Sequence, residues 1–243
     1  MLKAMRPSTR SSAMTHIARG LSIVELMVGV TIGLFILAGA TMVATTQLAD
    51  NRRMLLENQV NQDLRAALDI ITRDLRRAGY WAQATSAVWA SDTSTALANP
   101  YQKVTSTSSQ IEYLRSQDER VRCSGKVLCD NGQVDNDERA GFRLSSSGNT
   151  IDMLVSVGNW QALTDASVMK ITNFSIDLAG SQSVDVPCTA DTCPAVGPNG
   201  CPLKLQVRNA VVTITAEAVH DPSVVRSAQS FVRLRNDVVE EVC

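Results

Sequence analysis

The chain is short of aromatic residues, which make up 4% of its 243 positions, and it has only two histidines, His16 and His220. Two histidines leave little material for imidazole-based catalysis or metal binding. Neither a G-x-S-x-G elbow, a phosphate-binding glycine loop nor an H-E-x-x-H pair occurs, so no frame for nucleophilic, nucleotide or zinc chemistry is present. The net charge of −1 and pI near 6.1 give no electrostatic case for nucleic-acid binding. His220, in A-V-H-D-P-S, reads as a surface residue at a strand end. The chain therefore reads as a non-enzyme without a cofactor.

Proline is missing between Pro7 and Pro100, and charge is nearly missing from Leu21 to Leu48, where 28 residues carry only Glu25. Such a run exceeds the roughly 7–15 apolar residues of a secretory signal and reaches the ~20 that a membrane-spanning helix needs. Residues 1–20 hold Lys3, Arg6, Arg10 and Arg19 and no acid, leaving 19 basic against 24 acidic residues, a net of −5, for the rest. A basic leader before an apolar run predicts a cytoplasmic N-terminus and a remainder carried across the membrane.

The helical pattern continues past the apolar run. Val60, Leu64, Leu68, Ile71, Leu75 and Ala78 recur every three or four residues, one stripe of an amphipathic helix. Arg65, Asp69, Arg73 and Arg76 lie off it, with Asp69–Arg73 a modest i,i+4 pair. One helix from about Leu21 to Arg77, ending near Gly79, would be roughly 85 Å long, far more than a bilayer requires. Its first half suits lipid and its second a soluble domain. Gly29 and Gly33 form a G-x-x-x-G spacing that lets helices approach closely.

Glu25 admits two compatible readings. Ser22-Ile23-Val24-Glu25 fits the S-x-x-E capping box at a helix start, where an acid also suits the helix dipole. An acid in a membrane segment otherwise has a cost and usually marks function with a partner. Cleavage after Gly20 would create an amine on Leu21 about one turn away, with which Glu25 can pair, in its own or a neighbouring subunit.

Beyond Gly79 the pattern turns to β. Ser/Thr-rich stretches at 84–96 and 105–109 read as loops. Strands are expected at Gln110–Arg115, Gly141–Leu144, Thr150–Val155, Val168–Leu178, Leu203–Ala218 and Ser230–Arg235, in a sheet of about five to seven strands. The alternation in V-V-T-I-T-A-E-A (211–218) suits a sheet with one covered face, and the striped half of the helix is its cover.

All six cysteines, Cys123, Cys129, Cys188, Cys193, Cys201 and Cys243, lie in the second half. An even count beyond a membrane reads as disulfides; the sequence does not choose among the 15 pairings that six cysteines allow, and the pairing expected here is Cys123–Cys129, which would close a small ring, with two bonds among the other four. Zinc is the competing reading, but the spacings form no paired C-x-x-C knuckles. The run Asp130, Asp135, Asp137 and Glu138 offers carboxylates of the kind calcium takes, without the EF-hand spacing. It reads first as a solvated loop, so no metal site is assigned.

The leader ending in Gly20, followed by L-S-I-V-E-L and an unbroken apolar helix, resembles the class III signal of type IV pilins and pseudopilins, with Leu21 where Phe is usual. The stretches D-L-R-R-A-G-Y-W-A-Q (74–83), E-R-A-G-F-R-L (138–144) and F-V-R-L-R-N (231–236) resemble the PilW family of minor pilins. The J-type minor pseudopilins of type II secretion share this plan. The resemblance implies an α+β pilin fold: leader 1–20, transmembrane and assembly helix 21–48, amphipathic helix 49–79, and a β-rich periplasmic domain 80–243. It implies cleavage by prepilin peptidase between Gly20 and Leu21, methylation of Leu21, and assembly through Glu25. The implied partners are other minor pilins, the major pilin, the inner-membrane assembly platform and membrane lipid, with no direct nucleic-acid contact. The implied location is the inner membrane as a single-pass protein, then the pilus. The alternatives are a J-like pseudopilin and a membrane-anchored periplasmic binding domain.

Overall fold

A single helix, α1, runs from Ile23 to Leu75, as the absence of proline permits. The computed structural model describes residues 20, 22–84, 98–117, 132–178, 180–185 and 203–241. The chain divides into two units, residues 1–51 and 52–243.

In the first unit α1 carries no buried side chain; from Ser22 to Leu55 every described residue is exposed. The helix is long and apolar enough to cross a membrane, with a mean hydropathy of 2.3 in its most apolar stretch.

In the second unit the sequence stripe is the core face of α1. Val60, Ile71, Leu75 and, just past the helix, Ala78 have no exposed surface, and Leu64 and Leu68 are buried with them. Asp69 and Arg73 sit off the stripe, paired at 3.6 Å and largely exposed.

Eleven strands are present among the described residues, in three antiparallel sheets. The first is a meander of β1 (Val104–Thr107), β2 (Gln110–Leu114), β3 (Arg139–Leu144), β4 (Ile151–Ser156) and β5 (Asn159–Ala162). The second is built from β6 (Met169–Asp177), β9 (Asn209–Ala218) and β10 (Asp221–Arg233), with β9 in the centre. The third is built from β7 (Gln182–Asp185), β8 (Leu203–Val207) and β11 (Val238–Glu241), with β8 in the centre. On β9 burial alternates strictly: Ala210, Val212, Ile214, Ala216 and Ala218 point into the core. They share one apolar cluster with the α1 stripe, with Ile111 and Tyr113 of β2, Phe142 of β3 and Ile171, Phe174 and Ile176 of β6. The expected cover of a one-faced sheet by the helix is what the structure has.

Three expectations are corrected. The single sheet of five to seven strands is eleven strands in three sheets. The run Leu203–Ala218 is not one strand: it breaks at Arg208, whose buried guanidinium donates to the carbonyls of Gln102 (2.7 Å) and Asn236 (2.8 Å), so the chain leaves the third sheet and enters the second around it. The Ser/Thr stretch expected as a loop at 105–109 is largely β1, because β-branched Thr fits a pleated surface even without an apolar partner. Ser230–Arg235 is mostly the end of the longer β10.

Candidate functional site

Two features carry the functional argument: the start of α1, and the junction at its other end. Gly20 is exposed, and the first helical turn is closed by the Leu26 amide donating to the Ser22 carbonyl at 3.1 Å. Glu25 lies in this turn, exposed, and is the one charged residue of α1 before Asp50. Leu21, the other side of the expected cleavage point, lies outside the described residues.

The threonine hydroxyls inside the apolar run are internally satisfied. The hydroxyls of Thr31, Thr41, Thr45 and Thr46 donate to carbonyls three or four residues back, at 2.8–2.9 Å. Each would otherwise be an unmet donor in hydrocarbon, where an unsatisfied polar group costs several kcal/mol. Gly29, Gly33 and Gly39 have nothing within 4 Å of where a Cβ would stand, so the backbone is open to another helix there.

At the far end, the three sequence stretches singled out above meet. Asp74 accepts from the Tyr113 hydroxyl at 2.5 Å and from the Arg115 guanidinium, and Arg77 lies 4.0 Å away. Burial first, and then the Asp74 charge, push the Tyr113 phenol well above its ordinary range. The helix then stops on Gly79, whose φ of +74° suits glycine alone. Its amide donates to the Leu114 carbonyl at 2.8 Å, and its carbonyl accepts from the Asn99 side chain at 2.9 Å. The two preceding free carbonyls are also met: Ala78 accepts from the Asn236 side chain (2.9 Å) and Arg76 from the Arg235 amide (3.3 Å). Orphan carbonyls at a helix end need such partners. Here they come from 231–236, about 160 residues onward.

The 138–144 stretch enters through Glu138 and Gly141. The Glu138 carbonyl accepts from the Arg115 amide at 3.0 Å. Its carboxylate accepts from the Tyr101 hydroxyl at 3.0 Å, the Gln117 amide at 3.1 Å and the Asp135 amide at 2.8 Å. Glu138 is thus 5% exposed, which corrects the reading of a solvated acidic loop: the residue is a buried staple for the turn that opens β3. Asp135 is exposed and Asp137 half-buried; Asp130 lies outside the described residues. Among the described residues no group of three or more His, Cys, Asp or Glu side chains is placed to hold a metal. A Cβ on Gly141 would stand 2.5 Å from the Ile111 carbonyl, so the tight β2–β3 pairing there excludes any larger residue.

Tyr101, Tyr113, Arg115 and Asn99 gave no sequence signal, because their partners lie 20 to 41 residues away and no local period links them. His220 is exposed in the turn between β9 and β10. His16 and all six cysteines lie outside the described residues.

A partnerless apolar helix half, continuous with a striped half packed on antiparallel sheets, defines a pilin-like protein. Residues 53–234 match the family of prepilin peptidase-dependent protein B. That span is most of the chain, and the chain belongs to this family. The match takes in the striped half-helix and the sheets and stops short of Gly20–Glu25. No curated protein matches the chain. No solved structure does either.

Proposed function

We propose that this chain is a minor pilin of a type IV pilus, of the PilW type, whose role is structural. Prepilin peptidase cuts it after Gly20 and methylates the new amine on Leu21. Until assembly it is held in the inner membrane by α1, with the second unit in the periplasm. It then packs through the apolar half of α1 against other minor pilins and the major pilin, priming the pilus and ending at its tip. Twitching motility, adhesion and DNA uptake follow from the pilus. The chain is a substrate of processing enzymes and not a catalyst.

The observation that carries this reading is the Ser22–Leu55 stretch, fully exposed and bearing no charge before Asp50 except Glu25. An apolar surface of that extent needs lipid or like helices around it. The family match supports the peptidase as a partner on separate grounds, since it does not include the cleavage region.

Mass spectrometry of the mature N-terminus tests the proposal directly. A start at methylated Leu21 is expected; an intact leader or a cut elsewhere sinks it. Glu25→Ala is expected to leave cleavage and folding intact and to impair incorporation into pili. Deleting the gene is expected to remove surface pili and to spare enzyme secretion; the reverse outcome would reassign the chain to a secretion pseudopilus.

A further inference from the structure

The strand that follows the β9–β10 turn is tied by an ion pair to Glu57 of α1, within the second unit. Ala218 pairs with Asp221, leaving Val219 and His220 as an exposed two-residue tip. Pro222 and Ser223 are exposed in the register shift that follows. The Asp221 carboxylate accepts from the Ser223 amide (3.1 Å) and hydroxyl (2.6 Å). Those bonds, with a smaller contribution from the Arg53 charge, hold it below the usual carboxylate range. Arg226 of β10 contacts Glu57 of α1 at 2.5 Å, and Arg53 contacts the same carboxylate at 3.3 Å. The Val219 amide donates to the Val168 carbonyl (3.1 Å), joining the tip to the turn before β6. There Asp165 accepts from the Ser167 amide and hydroxyl at 2.8 and 2.7 Å.

The result is a braced end of the second unit with cations (Arg52, Arg53), acids (Asp165, Asp221) and an exposed apolar tip (Val219). Arg53 lies five residues beyond Leu48, about 7.5 Å of helix. The polar layer on each side of a bilayer is about 5–8 Å deep, so these cations reach phosphate level when the apolar run fills the hydrocarbon.

We propose that the β9–β10 turn, with Arg52 and Arg53 of α1, is a contact site for zwitterionic phospholipid headgroups. Guanidinium groups meet the phosphate, Asp221 and Asp165 meet the ammonium, and Val219 enters the interface beside them. Lipid fits better than a protein partner because Arg52 and Arg53 follow the apolar run within the same unbroken helix and the patch carries both charge signs in near balance. The inference rests on the membrane reading of α1.

The test uses the full chain reconstituted in vesicles of phosphatidylethanolamine and phosphatidylglycerol containing a headgroup-spin-labelled lipid. Val219→Trp is compared with Phe231→Trp, an exposed position near the other end of β10, each read as the difference from the unsubstituted chain. Quenching about threefold stronger at position 219 is expected, since the two ends of β10 stand ~30 Å apart. Arg52→Glu with Arg53→Glu is expected to lower that quenching by about half, through loss of the phosphate contacts. Equal quenching at 219 and 231 in a chain that floats with the vesicles overturns this inference alone. A chain that does not float overturns the membrane reading itself.

Discussion

The two halves of α1 share one unbroken backbone and differ in what their side chains meet. From Ile23 to Leu55 nothing is buried; from Val60 to Leu75 a seven-residue stripe is. Both halves are helical throughout and both contain Leu and Ala. The separation is in patterning. The first half is apolar all round up to Leu48, apart from Glu25, and returns its threonine hydroxyls to its own backbone. The second alternates apolar and charged rows, and its apolar row fills the space over β9 and β6. A helix apolar on every face finds its partner outside the chain, whereas a striped one finds it within. One element can therefore serve as both anchor and core.

Truncations in the two halves should break this comparison most sharply. Ile71→Ala removes a fully buried side chain and is expected to cost about 2–5 kcal/mol of the second unit's stability. Ile36→Ala, at an exposed position, is expected to change that stability by no more than ~0.5 kcal/mol. Denaturant unfolding of the full chain in detergent, followed by a probe in the sheets, reads both. Similar losses at both positions would mean that the first half also packs within the chain.

The two acids of α1 that stand out, Glu25 and Asp74, give the next contrast. Asp74 is four-fifths buried and holds Tyr113 and Arg115, so Asp74→Asn leaves a buried guanidinium poorly paired at a cost of about 3 kcal/mol. Glu25→Gln touches no such network and should leave unfolding unchanged while affecting assembly. A Tm of the second unit that drops with Glu25→Gln would refute the division of labour. Smaller again is Gly79→Ala. Forcing an alanine to φ of +74° costs about 1–2 kcal/mol, and its Cβ would also press on Arg208 at 3.0 Å.

The same division explains what was legible in the sequence. Val60 to Ala78 and the alternation of 211–218 could be read because burial there follows a local period, and both proved to be core faces. Arg208 splits the stretch expected as one strand into two, and this was not legible because its partners, Gln102 and Asn236, are far away in sequence. The short strands β1, β5, β7 and β11 are polar or half-exposed and hold their places by pairing, which leaves no periodic mark. Glu138 looked like one acid among four, and only the fold shows that two amides and a phenol converge on it. The junction was visible as three stretches that stood out. Their meeting at the end of α1 is a tertiary fact.

Titration sharpens the contrast between the buried junction and the exposed rim. Tyr113 is held above its ordinary value near 10, so the folded state keeps the proton that the unfolded chain loses. Its contribution is whole below pH ~10 and is lost as pH rises from there toward the folded value, because the unfolded state alone gains from ionising. Glu57, Asp165 and Asp221 are shifted the other way, by Arg226 and Arg53 for the first and by Ser167 and Ser223 for the others. Their contributions are whole above about pH 4.5 and are lost as pH falls below it. Asp165 is exposed and Glu57 and Asp221 are half-exposed, so solvent screens these pairings, and the acid loss should be shallow and should shrink further in salt. A Tm profile of the full chain from acid to alkaline pH is expected to fall gently below pH ~4 and steeply above pH ~10. Tyr113→Phe should lower the plateau, by removing the bond to Asp74, and flatten the alkaline fall. An alkaline fall of unchanged slope in that variant would remove Tyr113 as its source.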